Sequence, residues 1–156
     1  MSLKNNTFNN PKVVLVTGSG QRVGAEIVRH LHQSGWTVLI HYRHSQQAAL
    51  NLANELNQQR ANSAYTLCAD LDNLTQINQL PQQIEQLTDR LDALVNNAST
   101  FYPTPVGHVE ESAWHDLFSS NAKAPFFLSQ ACVPLLKKTQ GCIVNIVDIH
   151  AQRPFK

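Results

Sequence analysis

Short apolar runs alternate with longer amphipathic stretches along the chain, and the two periodicities differ. The runs are rich in Val, Ile and Leu and predict strands near residues 13–17, 37–42, 64–69, 93–96 and 142–147. The intervening stretches predict helices near residues 22–33, 46–59, 74–88, 112–119 and 122–137. Ile27 and Leu31, then Ala48, Leu52 and Leu56, recur at the helical spacing. Gly35 falls just past the first helix, where a C-terminal cap belongs. Pro125 is compatible with the last long helix only in its first turn, and Asn121 reads as a cap at that helix's entry. Strands alternating with helices imply a parallel sheet covered on both faces. Right-handed crossovers make it a doubly wound α/β sheet, in strand order 3-2-1-4-5.

Ligands of such sheets sit beyond the carboxyl ends of the strands, and that rule gathers the polar motifs on one rim. The first strand ends in Thr17-Gly18-Ser19-Gly20-Gln21-Arg22-Val23-Gly24. A strand, a glycine turn and a helix start form a phosphate cradle, because the helix start presents unpaired N–H groups and a positive dipole end. Gly18 and Gly20 suit the tight turn and the approach to a pyrophosphate, and Gly24 lets the helix lie close on the sheet. Arg22 adds a cation at the mouth. The second strand ends in Arg43-His44-Ser45, where folds specific for NAD carry an Asp or Glu about 20 residues after the glycine loop. No carboxylate follows until Glu55. A guanidinium, an imidazole and a hydroxyl suit a 2′-phosphate; the alternative is a solvated loop charge. Asp70-Leu71 follows the third strand, Asn97-Ala98-Ser99 with Phe101 the fourth, and Asp148 the fifth.

Composition narrows the class. The chain has 156 residues and a formal net charge of +1, enough for one sizeable core and no footprint for nucleic acid. Residues 1–10 are polar and Asn-rich and read as a tail; residues 11–156 read as the folded domain. No apolar run approaches the ~20 residues that span a bilayer. Three widely spaced cysteines, Cys68, Cys132 and Cys142, fit buried thiols in a reducing cytoplasm better than a disulfide framework or a zinc site. The seven histidines include no metal-ligand spacing, and no metal site is expected.

The Thr-Gly-x-x-x-Arg-x-Gly turn, His41-Tyr42-Arg43-His44-Ser45, Val95-Asn96-Asn97-Ala98-Ser99-Thr100-Phe101-Tyr102-Pro103-Thr104 and Asn145-Ile146-Val147-Asp148 together resemble the short-chain dehydrogenase/reductase family. Arg22 points to its pteridine reductase branch, which includes dihydromonapterin and alternative dihydrofolate reductases. The resemblance spans nearly the whole chain and implies a Rossmann-type fold, NADPH as cofactor and a pterin or folate as substrate. It assigns Gly18, Ser19, Gln21, Arg22, Val23 and Gly24 to the cofactor, with Arg43, His44 and Ser45 on its 2′-phosphate. Asp70 and Leu71 border the adenine, and Asn97, Ala98 and Ser99 run beneath the nicotinamide-side ribose. Phe101 stacks on the pterin, where the alternative is a ring packed on Pro103 or Pro105. Arg22 and Ser99 also reach substrate. Asp148 stands where typical family members carry a serine that orients a carbonyl. A carboxyl group suits proton relay to a ring nitrogen, and so reduction of C=N rather than of a simple ketone. Asn121 corresponds to a helix-kink asparagine that supports catalysis. Members are commonly tetramers, so a homo-oligomer is expected.

The family's Tyr-x-x-x-Lys pair is absent: four residues after Tyr42, Tyr65 and Tyr102 stand Gln46, Ala69 and Val106. The sequence therefore reads as the N-terminal portion of such an enzyme, lacking the C-terminal part of the fold and inactive by itself. Two other readings stay open. One is a short-chain carbonyl reductase of another substrate class. The other is a non-catalytic dinucleotide-binding sensor, if the chain naturally ends at Lys156.

Overall fold

A computed structural model describes residues 11–149 and 152–153; the expected tail at 1–10 and the terminal Phe155 lie outside the described residues. Strand β1 (Val13–Val16) leads through the glycine turn into helix α1 (Arg22–Gln33). Then follow β2 (Thr37–Tyr42), α2 (Gln46–Gln59), β3 (Ala64–Cys68), α3 (Leu74–Leu87) and β4 (Ala93–Asn96). Helix α4 (Glu111–Phe118), a π-helical turn (Ser119–Lys123), helix α5 (Ala124–Thr139) and strand β5 (Cys142–Asn145) complete the order. The strands are parallel and ordered β3-β2-β1-β4-β5, a Rossmann-type sheet.

Alternation within β1 explains the two-sided core. Leu15 faces one side with Leu39, Leu94 and the apolar stripes of α3 and α5, among them Ile77, Leu80, Ile84 and Leu128. Val14 and Val16 face the other with Val38, Ile40, Val28, Leu52 and Leu56. Successive side chains of a strand point to opposite faces, so a strand with both faces covered must be apolar throughout, as β1 is. Strand β5 lies at the sheet edge and all four of its residues are exposed, so Cys142 is not buried as expected; Cys68, at the end of the other edge strand, is exposed too, and only Cys132 lies in the core.

Helix ends follow local chemistry. The Asn73 side chain accepts from the N–H groups of Thr75 and Gln76 and caps α3. Ser34 closes α1 and Gly35 follows it at φ 91. One expectation is corrected. Asn121 is not an N-cap, because α4 runs into α5 through the π turn that contains it. Pro125 supplies the reason. It lacks an N–H and its ring crowds the carbonyl four residues back, that of Asn121, so the chain widens there instead of breaking.

Candidate functional site

The glycine turn sits at the carboxyl end of β1. Gly18 has φ 60, and a Cβ there would meet Ala98 Cα at 3.0 Å. At Gly24 a Cβ would lie 2.6 Å from the Gly18 carbonyl oxygen and 2.7 Å from Asn97 Nδ2, so only glycine lets α1 approach the turn. Gln21, at the N-cap, makes no side-chain capping bond, and the first turn of α1 holds no acid. The helix's positive end is therefore uncompensated by its own side chains, which fits the pyrophosphate of a dinucleotide. Gln21, Arg22 and Val23 are exposed there. Ser19 departs from its expected contact: it is fully buried, its hydroxyl donates to the Val16 carbonyl at 2.7 Å and its N–H to the His41 carbonyl. The side chain turns inward because the interior carbonyl of β1 needs a donor.

Arg22 occupies the left-handed region, at φ 55. A residue with a Cβ is strained there, and glycine is not. Arg22→Gly is expected to stabilise the fold by roughly 0.5–1 kcal/mol in denaturant unfolding while weakening anion binding at the turn. Loss of stability would show that the guanidinium is held by the fold rather than kept for a ligand.

Three side chains tie the rim together, and sequence reasoning missed two of them. Thr17 Oγ1 accepts from the N–H groups of Asn97 and Ala98, both at 2.9 Å, joining the ends of β1 and β4. Asn97 Nδ2 donates back to the Thr17 carbonyl at 2.9 Å and to that of Gly18 at 3.3 Å. His41 is 2% exposed. Its Nδ1 accepts from the Gly18 N–H at 3.1 Å, which leaves the proton on Nε2, and Nε2 donates to the Ala69 carbonyl at 3.1 Å. Burial pushes its pKa down from 6.5 to about 4, so the ring is neutral. The available signals were a threonine closing the first apolar run and a polar ring inside a fully buried one.

At the end of β2, Arg43 and His44 are exposed and Ser45 is partly so. Arg43 Nη1 donates to Asp72 Oδ2 at 2.9 Å and lies 3.4 Å from Asp70 Oδ1, while its Nε donates to His44 Nε2 at 2.7 Å. Ser45 Oγ lies 2.8 Å from where a Cβ on Gly20 would be, so the hydroxyl lies against the glycine turn. The Asp70 N–H donates to Gln76 Oε1 at 2.7 Å. Leu71 is corrected in part: its side chain belongs to the core, and only its backbone borders the rim.

Beyond β4 the chain is held by the π turn. Asn121 Oδ1 accepts from the Thr100 N–H at 3.0 Å and its Nδ2 donates to the Thr100 carbonyl at 2.8 Å. Ser99 is exposed beside this clamp, and Phe101 just after it is 76% exposed, not packed into the loop. Asn96 Nδ2 donates to Asn145 Oδ1 at 2.8 Å and fastens the end of β4 to that of β5, after which Asp148 stands exposed. Among the described residues no three His, Cys, Asp or Glu side chains are grouped to hold a metal ion, and no helix is long and apolar enough to cross a membrane.

A parallel sheet in this order, with its glycine turn and tied rim, defines a protein of the Rossmann-type class. Residues 12–156 match the family described as short chain dehydrogenase, and the chain belongs to that family. It is 38% identical to pteridine reductase 1 of Leishmania tarentolae over 181 residues, 92% of this chain and 63% of that protein. An uncharacterized oxidoreductase of Staphylococcus aureus (strain USA300) is 27% identical over 139 residues, 88% of this chain and 58% of the relative. The 3-oxoacyl-(acyl-carrier-protein) reductase FabG of Staphylococcus aureus (strain Mu50) is 25% identical over 139 residues, 88% of this chain and 56% of the relative. The chain thus spans 63%, 58% and 56% of the length of these relatives. Members use a nicotinamide dinucleotide and act on small molecules.

Proposed function

We propose that the whole protein is an NADPH-dependent reductase of a pteridine, a dihydropterin or a dihydrofolate. Phe101 is the observation that carries the substrate class. A ring 76% exposed at a strand end, on a loop clamped one residue earlier, is placed to stack on a flat heteroaromatic. The similarity to a pteridine reductase supports the same class. The cofactor reading rests on the end of β2, where Arg43, His44 and Ser45 stand in place of an acid. When bound, NADPH supplies a hydride. The glycine turn and the start of α1 hold the pyrophosphate; Gln21, Arg22 and Val23 present the amides of that start. Asn97 and Ala98 shape the floor near the nicotinamide-side ribose, and Asp70 and the Leu71 backbone border the adenine. Asp148 relays a proton to a ring nitrogen as the neighbouring carbon is reduced. Ser99 and Arg22 contact the substrate, and Asn121 positions Phe101 through Thr100.

Two measurements on the full-length protein test the reading. NADPH is expected to bind more than about tenfold tighter than NADH, since a charge-assisted phosphate contact contributes roughly 1.5–3 kcal/mol. Arg43→Ala should remove most of that preference; equal affinities in the parent would overturn it. Phe101→Ala is expected to raise KM for a dihydropterin or dihydrofolate and to leave the NADPH Kd nearly unchanged. A protein that ignores both and reduces simple ketones would retain the family and lose the substrate class.

A further inference from the structure

We propose that Asp72 is a specificity-setting residue of the nucleotide site: its carboxylate draws the Arg43 guanidinium against the end of β3 and so lowers the affinity for a 2′-phosphate relative to a 2′-hydroxyl. The proposal rests on the NADPH reading and adds a residue that opposes it. Arg43 Nη1 donates to Asp72 Oδ2 at 2.9 Å and to Asp70 Oδ1 at 3.4 Å. Its Nε donates to His44 Nε2 at 2.7 Å, so the guanidinium is engaged on that side as well. One guanidinium thus faces two carboxylates where a phosphate dianion is to bind. An arriving 2′-phosphate competes with both carboxylates for one cation.

The position of Asp72 is fixed by its own backbone. Its N–H donates to Asp70 Oδ1 at 3.0 Å, and its carbonyl accepts from Lys123 Nζ at 3.2 Å, out of the π turn. These ties set where the Asp72 side chain starts, and its carboxylate is held to Arg43 by the 2.9 Å bond. Asp70 lies nearer the part of the nucleotide common to both cofactors, so a change there would alter both affinities. The Asp72 carboxylate acts on the nucleotide site through Arg43. The Arg43 and Asp72 side chains are 44% and 32% exposed, so water and salt screen the pair. The effect is accordingly a modest one.

The test compares Asp72→Asn with the parent protein, using 2′,5′-ADP and NADPH as probes against 5′-AMP and NADH. Asparagine keeps the volume and both backbone ties and removes the charge. Affinity for 2′,5′-ADP and NADPH is expected to rise about three- to tenfold at low salt, while 5′-AMP and NADH change less than about twofold. Asp72→Glu should return the parent ratio. A merely structural role does not produce a selective gain. Unchanged or weaker NADPH binding in Asp72→Asn, with Arg43→Ala still costing affinity, overturns the proposal and makes Asp72 an organiser of Arg43. A parallel change with all four probes overturns it as a fold effect. Arg43→Ala that leaves NADPH binding intact removes the NADPH reading itself, and the proposal with it.

Discussion

A protein carrying His41→Leu is expected to be less stable at neutral pH by about 2–4 kcal/mol and to lose part of its sensitivity to acid. The neutral-pH loss follows from the buried Ala69 carbonyl and the part-buried Gly18 N–H, both left without partners. The acid effect follows from linkage. The folded imidazole stays neutral down to about 4, while the unfolded one takes a proton near 6.5. Between those values the unfolded state binds more protons, so stability falls as pH falls. The contribution is fully present above 6.5 and is lost toward pH 4, on the order of 3 kcal/mol in all. Protonation also places an N–H on Nδ1 facing the Gly18 N–H, which loosens the glycine turn before the chain unfolds. Urea unfolding of both proteins at several pH values between 4 and 7 checks this. Parallel pH profiles would show that His41 is no more than a space-filling residue.

Gly24→Ala is expected to destabilise the protein by on the order of 3 kcal/mol and to abolish dinucleotide binding. The added methyl would stand 2.6 Å from the Gly18 carbonyl oxygen and 2.7 Å from both Asn97 Nδ2 and Ser19 Cα. Backbone and clamped side chains on three sides leave nothing flexible to yield, so α1 must move off the turn. The shift in thermal midpoint should be roughly 10 °C, and NADPH should give no further protection. A variant that keeps its cofactor-dependent thermal shift would show that the turn opens freely. Gly35→Ala provides the contrast, since nothing lies within 4 Å of its added Cβ and only its φ of 91 opposes the change.

These residues show what a one-dimensional pattern carries. Helices α1 and α2 fall at residues 22–33 and 46–59 as expected, because apolar periodicity and the flanking glycine and serine mark their ends. Strand order was legible because alternating strands and helices admit few chiralities. The rim's gathering of the glycine turn, Arg43, Asp70, Phe101 and Asp148 follows from that order. What escaped was direction. Ser19 and Leu71 lie in the right segments but turn inward, since a side chain's heading at a strand end depends on which carbonyl or core gap it must fill. His41 reads as one histidine among seven until β3 is set beside β2 and supplies Ala69. From the residues alone Asn121 reads as a cap, because a π turn has no strong local signature and Pro125 matches a helix start equally well; a kink at Asn121 is implied only by the family resemblance.

The amide clamp between Asn121 and Thr100 divides the rim between two mechanical owners. The floor formed by the glycine turn and the end of β4 is fastened within the sheet by Thr17, His41 and Asn97. Phe101 follows Thr100, whose N–H and carbonyl are both fastened to the rod formed by α4, the π turn and α5. A sequence change that tilts the rod re-aims the ring and leaves the floor in register. On the proposed reading, the aim of the substrate-stacking ring and the shape of the cofactor floor are thus set by separate parts of the fold.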